Sequence, residues 1–86
     1  MYKIVFSRQG AKDRDKIRRS ELAKRAKTLL DLIAEDPFRN PPPYEKLRGD
    51  LEGFYSRRLN VQHRIVYLVR EEEKTVVIAR MWTHYE

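Results

Sequence analysis

The sequence predicts an α+β fold in which two helices pack on one face of an antiparallel-dominated β-sheet. The N-terminal half shows one short strand pattern followed by helical patterns, and the last third shows β-rich segments separated by turns. Strands joined by short turns pair in antiparallel fashion, and amphipathic helices must bury their apolar stripes. The predicted element order over a single domain, residues 1–86, is therefore β-α-α-β-β-β.

The N-terminal half is predicted to contain one strand and two helices. Residues 2–6 are rich in β-forming side chains, and Ser7 is a suitable N-cap for a highly charged helix over residues 8–18. A second helix is predicted to begin at Ser20 and to end before Pro37. Its apolar stripe, at spacings of three and four, consists of Leu22, Ala26, Leu29, Leu30 and Ile33.

The C-terminal half begins with a proline-rich segment and ends in three strands. Residues 37–44 include three consecutive prolines, which predicts a stiff, extended connector. Strands are predicted over residues 54–59, 61–69 and 75–82, with a polar turn at 71–74. Alternation then places Arg57 and Arg58 on opposite faces of the sheet, and it separates His63, Ile65, Tyr67 and Val69 from Arg64, Val66 and Leu68.

Composition restricts the possible classes of function. The 86 residues include 19 Lys and Arg against 13 Asp and Glu, and the net charge of +6 favours polyanionic partners or simply forms a solvated basic surface. The absence of cysteine excludes disulfides and thiolate metal sites, and two histidines cannot build a closed zinc site. The sequence predicts no cofactor, no metal, no membrane segment and no signal peptide, so a cytoplasmic location is expected.

Three residue types in the chain match the requirements of metal-free RNA cleavage. That reaction needs a base for the 2′-hydroxyl, a cation for the phosphorane-like charge and an acid for the leaving 5′-oxygen. Glu45, Arg64 and His84 fit these roles by chemistry. Each also has a simpler interpretation: Glu45 as a surface carboxylate, Arg64 as a structural salt bridge, and His84 as a tail residue.

A longer motif resembles a known family. Residues 45–59 read Glu-Lys-Leu-Arg-Gly-Asp-Leu-Glu-Gly-Phe-Tyr-Ser-Arg-Arg-Leu, followed by His-Arg-Ile-Val-Tyr at 63–67 and His-Tyr at 84–85. This combination resembles the signature of the YoeB/Txe toxin family of the RelE superfamily. The resemblance implies a microbial-ribonuclease-like fold and a toxin that cleaves mRNA in the ribosomal A site, leaving a 2′,3′-cyclic phosphate.

The same resemblance implies roles for individual residues. Glu45 is similar to the general base of that family and His84 to its general acid. Arg64 resembles the residue that stabilises the transition state, and Tyr85 the residue that positions the nucleotide. The predicted RNA- and phosphate-binding residues are Lys46, Arg48, Arg57 and Arg58. Residues 8–20 differ from the family, which often carries aromatic side chains in this first helix.

The resemblance also implies partners. These are a cognate YefM/Phd-like antitoxin with a disordered acidic tail, the 30S/70S ribosome with its mRNA, and operator DNA reached through the antitoxin, with which the toxin co-represses its operon. A homodimer is compatible with the family. Two alternative functions are a ParE-like toxin, which shares the fold but inhibits gyrase, and a non-catalytic module that binds RNA or the ribosome.

Overall fold

The fold is a five-stranded sheet with two helices, described here for residues 1–82 from a computed structural model. The order across the sheet is β1-β5-β4-β3-β2, with β1 parallel to β5 and every other pair antiparallel. The predicted fold class is confirmed. The elements are β1 (Lys3–Phe6), α1 (Arg8–Arg18), α2 (Ala23–Glu35), β2 (Glu45–Lys46), a 3₁₀ turn (Gly49–Leu51), β3 (Phe54–Arg58), β4 (Arg64–Arg70) and β5 (Thr75–Arg80).

The core lies between the two helices and one face of the sheet. The predicted stripe of α2 contributes Ala26, Leu29 and Ile33, and β4 contributes Ile65 and Tyr67. The alternation predicted for β4 is confirmed, because its odd-numbered residues face the helices and its even-numbered residues face away. The second face of the sheet is therefore the one on which polar side chains of β2, β3 and β4 can form a site.

Helix α1 lies directly against β5. The Ser7 hydroxyl accepts a hydrogen bond from the Gly10 amide at 3.0 Å, so the predicted N-cap is confirmed. A Cβ atom at Gly10 would lie 2.2 Å from the carbonyl oxygen of Ile78, which shows that the helix approaches the strand too closely for any side chain. The charged first helix is thus part of the packed structure.

Two element boundaries differ from the prediction for the same reason. The Ser20 hydroxyl donates to the Ile17 carbonyl at 2.8 Å and accepts from the Leu22 amide at 3.0 Å, so Ser20 forms a turn and α2 begins at Ala23. The Asn60 side chain accepts hydrogen bonds from the amides of residues 62 and 63, which delays the start of β4 to Arg64. Local side-chain hydrogen bonds compete with regular structure at both places.

Strand β2 was not predicted. It has only two residues, Glu45 and Lys46, and it exists because they pair with Ser56 and Tyr55 of β3. Two residues carry no periodic pattern, so only the pairing itself reveals the strand.

None of the helices within residues 1–82 is long and apolar enough to span a bilayer.

Asp13 of α1 is a buried carboxylate, with no exposed surface. Its Oδ2 accepts hydrogen bonds from Arg80 Nε at 2.8 Å and from the Met81 amide at 3.0 Å, and its Oδ1 accepts one from Gln9 Nε2 at 3.2 Å. Burial raises the pKa of Asp13, but the hydrogen bonds from Arg80, Met81, Trp82 and Gln9 together outweigh burial and lower the pKa below its ordinary value.

The lowered pKa of Asp13 predicts how stability depends on pH. A carboxyl group whose pKa is lower in the folded state stabilises the fold above its unfolded pKa, near 3.9, and loses that contribution as pH falls through the folded pKa. We expect wild type to be more stable than Asp13→Asn above about pH 4, with the difference shrinking below that pH. Urea unfolding of both proteins between pH 7 and pH 3 measures it, and a constant difference would contradict the assignment.

Candidate active site

Glu45 and Arg64 meet on the face of the sheet that the helices do not cover. Arg64 Nη1 donates to Glu45 Oε1 at 2.6 Å and to the Ser56 hydroxyl at 2.9 Å. The Arg64 side chain is 17% exposed and the Glu45 side chain 64% exposed. The salt bridge considered for Arg64 thus exists, and it forms at the surface, where a ligand can reach both partners.

A depression of about 230 Å³ surrounds this ion pair. Arg58 lies directly opposite Arg64 in the β3–β4 register, and Ser56 lies opposite Glu45 in the β2–β3 register. Two arginines and one carboxylate therefore share a small concave surface, an arrangement suited to an anionic group beside a proton acceptor. The depression is lined by Pro43, Glu45, Ser56, Arg58 and Arg64.

Lys46 and Arg48 line a second depression of about 550 Å³. Both side chains are exposed, and this surface also includes Phe54 and Tyr55 of β3. Lys46 pairs with Tyr55 whereas Glu45 pairs with Ser56, so alternation puts the two side chains on opposite faces of β2. The predicted phosphate contacts at 46 and 48 thus lie in a different depression from the Glu45–Arg64 pair.

The phosphate-binding role predicted for Arg57 is wrong. The residue is 1% exposed, and its guanidinium is surrounded by protein acceptors. Nη1 donates to the Pro42 carbonyl at 2.6 Å, Nη2 to the carbonyls of Pro37 and Arg39 at 3.0 and 2.7 Å, and Nε to the Tyr67 hydroxyl at 3.1 Å. A buried guanidinium needs such partners, and this one has no surface left for RNA.

The connector 37–44 is also different from the predicted extended segment. Carbonyls of Pro37 and Pro42 both bind one guanidinium, whereas five extended residues would separate them by about 17 Å. The segment therefore curves around Arg57. Aromatic contacts hold it on the sheet, with ring centroids 5.1 to 5.9 Å apart among Phe38, Tyr44, Tyr55 and Tyr67.

This curved connector determines where Glu45 lies. Tyr67 adds a further hydrogen bond, donated by its hydroxyl to the Pro37 carbonyl at 2.8 Å. Burial raises the pKa of Tyr67, which keeps that hydroxyl protonated as a donor. The hydrogen bonds from Arg57 to the connector carbonyls form what we call the Arg57 clamp. Because the chain leaves this clamp at Pro42 and reaches Glu45 three residues later, the clamp and the β2–β3 pairing together place the carboxylate beside Arg64.

The predicted residues His84 and Tyr85 lie outside the described residues. The last described residue is Trp82, whose ring stacks on His63 with centroids 4.1 Å apart. Within residues 1–82, no three carboxylate, imidazole or thiol side chains are close enough to form a metal site.

The role of Ser56 in the site and the structural role of Arg57 were not predicted from the sequence. Ser56 binds Arg64, and its position between Phe54 and Arg58 in the alternating strand pattern was the available signal. Arg57 was assigned to RNA because it stands next to Arg58 in the motif. Alternation separates these two side chains, yet it does not tell which face the connector covers.

Comparison with known proteins places the chain in a family. Residues 6–85 match the family described as the YoeB-like toxin of bacterial type II toxin–antitoxin systems. The chain belongs to the YoeB toxin family. The Toxin YoeB of Streptomyces coelicolor is 36% identical over 85 residues, which cover 96% of this chain and 99% of that protein.

Solved structures of the family have the same fold. The YoeB–YefM complex from Staphylococcus aureus matches with a TM-score of 0.83 and 32% identity, covering 99% of each chain. A YoeB dimer from the same organism matches with a TM-score of 0.82 and 32% identity, covering 98% of each chain. The fold that positions Glu45 and Arg64 is therefore that of a toxin from a type II toxin–antitoxin system.

The structural role of Arg57 makes a testable prediction. We expect Arg57→Leu to lower the free energy of unfolding by about 3 kcal/mol or more, because it leaves buried carbonyl groups without a donor. Arg58→Leu is the matched control and should change it by less than about 0.5 kcal/mol, since that side chain is exposed. Equal effects in chemical denaturation would mean that the Arg57 clamp does not stabilise the fold.

Proposed function

We propose that this protein is a ribosome-dependent endoribonuclease that cleaves mRNA in the A site and thereby inhibits translation. The observation that carries the proposal is the ion pair of Glu45 and Arg64, open to solvent beside Arg58, in a chain of the YoeB toxin family. Both members of the pair are held by the sheet, so neither needs a large rearrangement to meet a phosphate group. The proposed site of action is the cytoplasm, where mRNA is translated.

The proposed reaction is an attack of the 2′-hydroxyl on the adjacent phosphorus. Glu45 accepts the proton of the 2′-hydroxyl as the new 2′-O–P bond forms. The P–O5′ bond then breaks, and His84 donates a proton to the leaving 5′-oxygen. The products are a 2′,3′-cyclic phosphate and a 5′-hydroxyl end, with no metal in the proposed mechanism. Tyr85 is proposed to orient the nucleotide.

Arg64 is proposed to change partners during this reaction. Before RNA binds, its guanidinium holds the Glu45 carboxylate at 2.6 Å. A phosphate that enters the depression offers oxygens that bear more negative charge as the transition state forms, and a fixed guanidinium stabilises that charge. As Arg64 turns toward the phosphate, its hold on Glu45 weakens and the carboxylate can accept the hydrogen bond of the 2′-hydroxyl instead.

The remaining cations are proposed to bind the RNA backbone. Arg58 lies in the same depression as the ion pair, and Lys46 and Arg48 line the next one. Together they give the β2 end of the sheet a basic surface, on a protein whose net charge is +6. Such a surface suits a phosphate chain that extends on either side of the scissile bond.

A YefM-type antitoxin is the proposed partner of this toxin. The S. aureus relative is described as a complex with YefM and also as a dimer. We propose that an acidic antitoxin tail covers the basic surface here, and that the complex represses its own operon through the antitoxin's DNA-binding part. The dimer is proposed for this chain on the same similarity.

Removing the acid or the base should abolish cleavage but not binding. We expect Glu45→Gln and His84→Gln each to lower the cleavage rate on programmed ribosomes by about 10²-fold or more. Primer extension under single-turnover conditions measures the rate, and co-sedimentation with ribosomes measures binding. Glu72→Gln in the β4–β5 turn is the matched control and should cleave like wild type.

The outcomes separate the alternative functions. Wild-type binding to ribosomes without cleavage would identify a non-catalytic module. Inhibition of gyrase without any effect on mRNA would identify a ParE-like toxin. A His84→Gln protein that cleaves as fast as wild type would remove His84 from the mechanism.

The basic surface predicts a strong dependence of ribosome binding on salt. Binding through about six or more phosphate contacts weakens by 10³-fold or more between 50 and 200 mM salt. We expect replacement of Lys46, Arg48 and Arg58 by alanine to reduce the slope of log affinity against log salt by about two. An unchanged slope would show that these three residues do not contact phosphate.

A further inference from the structure

The last residue of β5 and the two residues after it are all held by contacts. The Met81 amide donates to Asp13 Oδ2 at 3.0 Å, and Arg80 Nη2 donates to the Trp82 carbonyl at 3.4 Å. The Trp82 ring stacks on His63 at 4.1 Å with an interplanar angle of 21°. This segment is thus fixed just two residues before His84.

Asp13 is the centre of these contacts. Arg80 Nε, which belongs to the same side chain that binds Trp82, donates to Asp13 Oδ2 at 2.8 Å. Met81 is itself 1% exposed and packs in the core. One buried carboxylate on α1 therefore receives a backbone donor and a charged side-chain donor from the end of β5, at a separation of 67 and 68 residues along the chain.

The ion pair between Asp13 and Arg80 is shielded from solvent at the carboxylate. Asp13 is fully buried, while the Arg80 side chain is 42% exposed. Removing the Asp13 carboxylate leaves the buried amide of Met81 without its acceptor. Gln9 donates to the other carboxylate oxygen, which limits rotation of the Asp13 side chain.

We propose that Asp13 is a positioning residue for the nuclease site, because it holds Met81 and Arg80 at the end of β5, a few residues before the proposed acid His84. This inference rests on the function proposed above. It gives the charged first helix a role in the reaction, although that helix lies on the opposite side of the sheet from Glu45. Asp13 itself touches no reacting atom.

The size of the effect follows from the geometry that proton transfer needs. A general acid acts only within hydrogen-bond reach of the leaving oxygen, and a displacement of about 1 Å can cost 10²-fold in rate. If Met81 and Trp82 are held less firmly, the proposed acid should reach the leaving oxygen in a productive geometry less often. The rate of the chemical step should then fall, while ribosome binding, which is proposed to depend on Lys46, Arg48 and Arg58, stays the same.

The test compares Asp13→Asn with the matched variant Asp15→Asn. Asp15 is on the same helix, and its side chain is 51% exposed. We expect Asp13→Asn to lower the single-turnover cleavage rate on programmed ribosomes by about 10- to 100-fold with unchanged ribosome affinity, and Asp15→Asn to leave both unchanged. If Asp13→Asn is unfolded at the assay temperature, Asp13→Glu replaces it, since it keeps the charge but displaces the carboxylate.

A double-mutant cycle tells positioning from a general loss of structure. If Asp13 acts through the tail, adding Asp13→Asn to His84→Gln should slow cleavage by much less than it does in wild type. If the rate of the double variant is instead lowered by the product of the two single effects, the proposal is overturned. Trp82, the only tryptophan of the chain, offers a readout that does not need activity: its fluorescence and acrylamide quenching should change in Asp13→Asn and not in Asp15→Asn.

The remaining outcomes distinguish the two proposals. A wild-type protein that cleaves, together with a folded Asp13→Asn protein that cleaves equally fast, refutes the positioning role and leaves the nuclease intact. Unchanged Trp82 fluorescence in Asp13→Asn refutes the anchoring of the segment. A wild-type protein that cleaves no mRNA on ribosomes refutes the nuclease itself, and the positioning role with it.

Discussion

Arg57 carries its positive charge inside the protein, where three carbonyl groups of the segment 37–42 and the Tyr67 hydroxyl accept its hydrogen bonds. The position of Glu45 depends on this interaction. Prolines lack an amide donor, so a segment with three of them in succession has few backbone hydrogen bonds with which to attach itself to a sheet. The guanidinium supplies the donors that the segment lacks, and the chain leaves it in position to form β2.

The adjacent arginines of β3 have opposite environments. Arg57 and Arg58 point to opposite faces of β3, so one is enclosed by the connector and the core while the other remains exposed in the Glu45 depression. Arg64 is intermediate, since it is mostly covered but still bonded to an exposed carboxylate. Burial therefore separates the guanidinium that supports the fold from the ones proposed to bind phosphate.

Asp13 is a second buried charge, at the other end of the structure. It binds donors from β5 and from the chain after β5, just as Arg57 binds acceptors before β2. Isolated buried charges are costly, and both of these are paired with several hydrogen bonds. The segment that ends at Glu45 and the segment that ends at Trp82 are thus each attached to the packed core in part through a buried charged side chain.

Local pattern was a good guide to the elements and a poor guide to their long-range contacts. The alternation of β4 correctly separated Tyr67 from Arg64, and the cap at Ser7 was correct. The start of α2, the two-residue strand β2 and the curvature around Arg57 were not predicted. Each depends on a hydrogen bond or a pairing whose partner is invisible to a short window of sequence.

By itself, the sequence determined the order of the helices and of the four longer strands, the alternation of side chains along β3 and β4, and the motif that marks the YoeB family. Those features arise from periodicity and from residue identity within short stretches of chain. Only the tertiary structure decided that Arg57 is buried, that Glu45 meets Arg64 and that Asp13 holds the end of β5. These contacts join residues 15 to 68 positions apart, and their formation depends on how the packed elements bring distant segments together.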